Sequence, residues 1–528
     1  MLARLPLFTL LASAAAHPPT YGGHGPPGND DLTVQTSSGR VHGKIDTTEP
    51  DVRQFLGIPF AHPPTGDLRW AAPQPLSQPD QDVEAKELGP SCMQFLNTNA
   101  SSVYLNQVLE YNLQGLNRTG DISEDCLRLS VWAPNKGGHR GRGRGRGKEH
   151  GRGGKAETLP VLVYFYGGGF STGGMDVPAQ IPTQMVQRTQ DHIVVSFNYR
   201  VNIFGHPNAP GLEDQNVGLL DQRAAVEWTR DNIAAFGGDP SRIVIWGQSA
   251  GSISVDYYSF TYPEDPIAAG MSLDSGTSLS ALTSADTAQS NFTFVAENVG
   301  CGGFDDDASG RLSCMRGVDA DKINDFIATY AKSAQQPALG FRPVVDDKVV
   351  FSNYSERMLQ GKQAKIPAII GTNTEDGVPF APYDPSGPDP ALAEQGLLRT
   401  FFCPATESAR LRQQTGLDTY RYLYAGNWTN LSPAPWLGAF HSAELPMLFG
   451  THPNFRGEST ELEYETSHAM QDAWVAFARE GVRGLQSEGW KEYEAVGEAT
   501  VREFGDGVAA KDVSIAGLEG KCDGAVPA

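Results

Sequence analysis

A short apolar run that ends in a serine between two glycines leaves a chain few ways to fold, and residues 242–260 contain one. Arg242-Ile-Val-Ile-Trp246 is short, β-branched and apolar, which reads as a central strand. Gly247-Gln-Ser249-Ala-Gly251 follows at once, and Ser252 to Phe260 reads as the start of a helix. Strand, single serine and helix together predict a sharp elbow, in which the flanking glycines avoid clashes and the hydroxyl projects outward. Ligands in open parallel sheets gather at the carboxyl ends of the strands. Ser249 is therefore the candidate nucleophile, and a plain helix N-cap is the structural alternative for it.

The G-x-S-x-G pattern occurs twice. Gly169-Phe-Ser171-Thr-Gly173 also follows a strand-like stretch, Pro160 to Tyr166, but it enters a Gly-rich, Pro-containing segment with no helical periodicity. Ser171 thus lacks the elbow context.

From Leu159 onward the pattern alternates between strand and helix, the rhythm of a mostly parallel sheet covered by helices. Asp191 to Tyr199 reads as a buried strand. Asp221 to Phe236 carries apolar residues at helical spacing and stops at Gly237-Gly238-Asp239-Pro240. The expected class is α/β, with a large mostly parallel central sheet flanked by helices in a single domain with long loop insertions.

Boundaries follow from composition. Residues 1–16, with Arg4, the apolar stretch Leu5 to Ala12 and Ala14-Ala15-Ala16, read as a secretory signal peptide. Residues 17–31 are a Gly/Pro/His-rich lead-in that cannot bury apolar area. The folded domain is expected over 32–510, with 511–528 as a C-terminal tail. Within it, 135–158 holds eight Lys/Arg against two Glu, mostly as Arg-Gly repeats, and reads as a flexible insert. Strand-like stretches on either side, Leu127 to Trp132 and Pro160 to Tyr166, predict that the insert enlarges a hairpin loop.

Charge and hydropathy exclude some partners. A formal net charge of -21 disfavours nucleic acid, whose binding needs Lys/Arg to neutralise phosphates. No apolar run approaches the roughly 18 residues of a membrane span, and the C-terminus lacks the hydrophobic tail of a lipid-anchor signal, so no membrane anchor is expected. Six cysteines suit disulfides in an oxidising compartment, although sequence selects none of the possible pairings. Sequons at Asn99, Asn117, Asn291, Asn353, Asn427 and Asn430 fit an exported, extracellular product.

A serine hydroxyl is a poor nucleophile until an imidazole takes its proton. In the chain order Ser, acid, His the base lies downstream, which leaves His441, His452 and His468. His468 lies in a helical stretch and His452 in a loop before Pro453, whereas His441 follows the strand-like stretch Thr419 to Ala425 and is favoured by position. The acid that orients the imidazole belongs after a strand. Lys365 to Ile370 leads to Glu375-Asp376-Gly377, where either carboxylate qualifies. Tyr166-Gly-Gly-Gly169-Phe170 supplies a glycine run directly after a strand, suited to presenting backbone N–H donors to an oxyanion.

Together these segments resemble the type-B carboxylesterase and cholinesterase family of α/β-hydrolases from about Leu32 to Phe504. Phe55-Leu-Gly-Ile-Pro-Phe-Ala61, Ser123-Glu-Asp-Cys-Leu-Arg-Leu129, Asn216-Val-Gly-Leu-Leu-Asp-Gln222, Asn232 to Pro240 and Leu273-Asp-Ser-Gly276 add to the match. The resemblance implies a secreted serine esterase acting on a small-molecule or lipid ester through an acyl-enzyme, without metal or organic cofactor. It also implies Ser249 as nucleophile, His441 as base, and the N–H groups of Gly168, Gly169 and Ala250 as oxyanion donors, with Ser275 and Gln248 supporting the triad. Implied disulfides are Cys92–Cys126 and Cys301–Cys314, with Cys403–Cys522 as a third candidate.

This chain departs from the family in three places. The family acid is usually Glu, which keeps Glu375 open as the alternative to Asp376. Gln248 stands where many members carry Glu. Leu116 stands where cholinesterases carry a choline-binding Trp, so a cation–π cage is not expected there. The rival expectations are a lipase, or a cholinesterase-like binding protein without catalysis.

Overall fold

The computed structural model describes residues 32–522 except 97–101, 104–106, 109–121, 136–157, 305–306, 334, 433, 455 and 496–498. The expected signal peptide and lead-in, nearly all of the basic insert, Leu116, Asn99 and Asn117 lie outside the described residues.

Along the chain the strands are β1 (Thr33–Thr36), β2 (Gly39–His42), β3 (Lys44–Ile45), β4 (Val52–Pro59), β5 (Asp82–Glu84), β6 (Ser91–Cys92), β7 (Ile122–Ser123) and β8 (Arg128–Pro134). They continue with β9 (Leu159–Phe165), β10 (Ile193–Phe197), β11 (Gly238–Gln248), β12 (Gly270–Asp274), β13 (Ala368–Asn373), β14 (Thr419–Tyr424), β15 (Thr500–Phe504) and β16 (Ala510–Ser514). Eleven of them form one sheet in the order β16-β15-β14-β13-β12-β11-β9-β10-β8-β4-β3. Every neighbouring pair from β15 to β10 is parallel, and antiparallel strands close both edges. The fold is thus the mostly parallel α/β arrangement expected.

The centre of the sheet is apolar on both faces because helices cover both. Val161–Phe165 and Ile243–Trp246 are buried throughout. Trp246 packs its ring on Phe449, with centroids 4.8 Å apart, and on Tyr164 at 4.7 Å. Helix α1 (Val217–Asn232) is tied to the sheet by a buried ion pair, in which Arg200 Nη2 donates to Asp221 Oδ1 at 2.7 Å.

Two expectations are corrected. β8 and β9 do not form a hairpin around the basic insert: β10 lies between them, with Val194 opposite Trp132 antiparallel and opposite Leu162 parallel. A short loop forces two strands together, whereas an insert of this length removes the constraint. Strands buried on both faces also carry no pattern that names their neighbours. The segment after residue 510 is no tail, since β16 pairs antiparallel with β15 and Cys522 is bonded to Cys403. Ala-Lys-Asp-Val-Ser has too little apolar alternation to announce a strand, and backbone pairing at the sheet edge supplies what periodicity does not.

The other disulfides are Cys92–Cys126 and Cys301–Cys314, which leaves no free cysteine among the described residues. Of the four sequons described, Asn353 and Asn427 are exposed. Asn291 and Asn430 are buried, with their Nδ2 groups donating to Gly340 O and to Ser459 Oγ, so only Asn353 and Asn427 leave room for a glycan. No helix among the described residues is long and apolar enough to cross a membrane.

Candidate active site

At the carboxyl end of β11 the chain turns through Ser249 into helix α2 (Ala250–Thr261). Ser249 sits at φ 56°, ψ −123°, a left-handed conformation that costs a side-chain-bearing residue about 1–3 kcal/mol. Its surroundings hold it there. Ser249 N donates to Asp274 O at 2.8 Å, and Ser249 O accepts from Ile253 N at 2.9 Å. The motif glycines are required by contact: a Cβ on Gly251 would stand 2.0 Å from Phe165 O, and one on Gly247 would stand 2.4 Å from Gly251 C. Helix α2 is thereby pressed against the end of β9, where the glycine run begins. Ser249 is partly exposed between buried Gln248 and Ala250. Ser171 occupies a turn with no following helix, and its Oγ donates to Gly169 O at 3.3 Å.

Strand β13 ends at Asn373, and the next turn carries both candidate acids. Asp376 Oδ1 lies 2.8 Å from His441 Nδ1, with both side chains buried. Asp376 Oδ2 accepts from Ser275 Oγ at 2.9 Å and from Asn373 N at 2.7 Å. Glu375 makes other contacts: its Oε2 accepts from Ala439 N at 2.9 Å and from Thr374 Oγ1, and burial pushes its carboxyl above the usual range. A backbone bridge between Glu375 and Phe440 lays the acid loop against the His441 loop, so adjacent side chains leave in different directions. Of the three histidines, only His441 reaches this place. His452 is buried with Nδ1 2.7 Å from Ser459 Oγ, and His468 is exposed on helix α4 (Glu461–Glu480), beyond helix α3 (Leu445–Phe449).

The glycine run is anchored by a tyrosine pair. Tyr166 Oη donates to Tyr199 O at 2.9 Å, Tyr199 Oη donates to Tyr166 O at 2.7 Å, and the rings stack with centroids 4.3 Å apart. Beyond it, Gly168 at φ 115° and Gly169 at φ 63° are partly exposed, and their N–H groups meet no protein acceptor among the described residues. Only glycine adopts the first of these conformations readily. Gln248 is buried with Nε2 3.3 Å from His441 Nε2. Two phenylalanine rings also pack on the imidazole, Phe401 at 4.7 Å and Phe380 at 5.0 Å, and Phe380 is half exposed.

Sequence reasoning missed three buried groups behind this constellation. Asp274 receives Trp246 Nε1 at 2.5 Å and Ser272 Oγ at 3.0 Å, and burial pushes its carboxyl up to about 7. Asn373 donates from Nδ2 to Phe440 O at 2.8 Å and to Glu444 Oε2. Glu444 is fully buried, which, with Asp376 and Asp274 nearby, pushes its carboxyl well above the ordinary range. The one available signal was position, since Asn373 precedes the acid pair by two residues and Glu444 follows His441 by three.

The model of the carboxylesterase family matches residues 30–398 and 398–506. The chain is 47% identical over 485 residues to a chlorogenic acid esterase of Aspergillus niger, covering 92% of this chain and 90% of that one. It is 39% identical over 485 residues to secreted lipase 5 of Gibberella zeae, with 88% of each chain covered. A cholinesterase of Mus musculus is 26% identical over 509 residues, covering 86% of this chain and 79% of the other.

Proposed function

This chain belongs to the carboxylesterase family and is a carboxylic ester hydrolase, and from that premise we propose that Ser249, His441 and Asp376 perform the hydrolysis. The carrying observation is the 2.8 Å contact between Asp376 Oδ1 and His441 Nδ1, on a histidine whose other ring nitrogen, Nε2, meets the elbow through Gln248. Asp376 holds the imidazole with Nδ1 protonated, so that Nε2 accepts the Ser249 proton as Oγ attacks the ester carbonyl. The N–H groups of Gly168, Gly169 and Ala250 receive the oxyanion, each such donor being worth about 3 kcal/mol in the transition state. His441 then returns the proton to the departing alcohol. Water, deprotonated by the same imidazole, attacks the acyl-serine and releases the acid.

An aromatic ester of the chlorogenic acid kind is the substrate we propose first. The relative of that name supports it, as does the half-exposed Phe380 ring packed against His441, which offers an aromatic group a stacking surface beside the reacting bond. A lipase reading draws on the lipase relative and on exposed Leu392 in the helix that packs beneath the Phe380 turn. Initial rates on chlorogenic acid, short and long p-nitrophenyl esters and a triacylglycerol emulsion separate the two. The aromatic reading expects the highest kcat/KM on chlorogenic acid, and Phe380→Ala to raise its KM about fivefold, equivalent to a stacking loss of about 1 kcal/mol. A rate that rises only once an interface forms overturns it. A binding protein without catalysis would leave Ser249 unlabelled by a fluorophosphonate.

Gln248 makes a second expectation for the site. Gln248→Glu sets a negative charge beside His441 Nε2, which favours the cationic imidazole. A cationic imidazole cannot take the Ser249 proton, so kcat/KM on a p-nitrophenyl ester is expected to fall, and an unchanged value overturns the contact's importance. Extracellular residence is proposed from the three disulfides, the secreted lipase relative and the signal-like residues 1–16.

A further inference from the structure

Behind His441 the sheet buries three carboxyl groups, Asp274, Asp376 and Glu444, and two of them have evident roles or partners. Asp376 receives His441, Ser275 and the Asn373 amide, and Asp274 receives Trp246 and Ser272. Glu444 differs. It is fully buried in the turn before α3, its Oε2 accepts from the neutral amide of Asn373, and its Oε1 has no hydrogen-bond partner among the described residues. The charges acting on it, Asp376 and Asp274, share its sign. Around it stand the buried phenols of Tyr164 on β9 and of Tyr422 and Tyr424 on β14, none of which supplies a positive charge. No ion pair reaches Glu444 among the described residues, so an ionised carboxylate there would lose its hydration at a cost of several kcal/mol that uptake of a proton removes.

Asn373 is the hub that makes this group matter. From one residue, its backbone N holds Asp376, and its Nδ2 holds both the Phe440 carbonyl, adjacent to His441, and Glu444. The separation between the acid loop and the base loop is thus set through a single amide whose orientation Glu444 fixes. We infer that Glu444 is a positioning residue, held as the neutral acid, which locks Asn373 and so keeps Asp376 in register with His441. This rests on the triad reading proposed above. Misplacing a reacting group by about 1 Å costs on the order of a hundredfold in rate, so a loosened Asn373 should be visible in kcat.

The test compares the full-length wild-type protein with E444Q and E444A. Glutamine reproduces the shape and neutrality of a protonated glutamate, so E444Q is expected to keep kcat within about threefold and to leave the pH profile unmoved. E444A should lose about tenfold or more in kcat with KM little changed. The wild-type minus E444Q infrared difference at pH 7 should contain the C=O stretch of a protonated carboxyl group. A carboxylate band in its place, or E444Q losing as much as E444A, overturns the inference. Should E444A not fold, E444Q and the infrared band decide alone. Fluorophosphonate labelling of the wild-type protein keeps the two readings apart: no label at Ser249 defeats the triad, whereas label with a carboxylate band defeats only the role of Glu444.

Discussion

Ser249→Ala is expected to lower kcat on a soluble p-nitrophenyl ester by about a millionfold, the loss typical of removing the nucleophile from a serine triad. The fold should survive, because the Ser249 side chain makes no capping hydrogen bond to α2 and the turn is held by backbone contacts to Asp274 and Ile253. Alanine occupies the same φ of 56° at a cost close to that of serine, since both carry a Cβ. Circular dichroism and thermal melting of the variant check that the loss is chemical. Turnover retained above about a thousandth of wild type would remove Ser249 from the mechanism, and Ser171 would be next for replacement.

Asp376→Asn and Glu375→Gln, measured together, should separate by orders of magnitude. Asparagine keeps the shape of Asp376 but turns an N–H donor toward His441 Nδ1, which favours the tautomer carrying its proton on Nε2. That tautomer cannot accept from Ser249, and the imidazolium formed during attack loses its counter-charge. A fall of about ten-thousandfold in kcat follows. Ser275 Oγ and Asn373 N would also lose an ionised acceptor, so some loss of stability accompanies it. Glu375→Gln retains an oxygen for Ala439 N and Thr374 Oγ1, and because burial already makes native Glu375 hold its proton more readily than an exposed glutamate, the neutral replacement is expected to cost less than about tenfold. The reverse ranking would reassign the acid to Glu375.

Both expectations depend on information of different range. The elbow at Ser249 was legible because strand Arg242–Trp246, the turn and the helix are contiguous, and because the contact that requires Gly247 is made to Gly251 within the turn itself, whereas the one that requires Gly251 comes from Phe165 on β9. That Ser249 and not Ser171 stands at a strand-to-helix turn was readable from the sequence that follows each. Strand-and-helix alternation announced the parallel sheet for the same reason, since each element carries its own periodicity. The β8–β9 hairpin was misread because neighbour relations in a doubly covered sheet are not local, and β16 was missed because an edge strand with polar sides lacks a hydrophobic pattern.

The sequence alone therefore determined the fold class, the strand-to-helix turn at Ser249 and the glycine run, each announced in a short stretch by its own hydrophobic period and glycine spacing. Tertiary structure decided which of two adjacent carboxyl groups meets His441, which histidine of three arrives there, and that Asn373 and Glu444 stand behind them. Those outcomes join residues roughly 65 to 190 positions apart, at distances that only the packed sheet specifies. Side-chain direction within Glu375-Asp376 is set by the backbone bridge to Phe440, a partner no local pattern names.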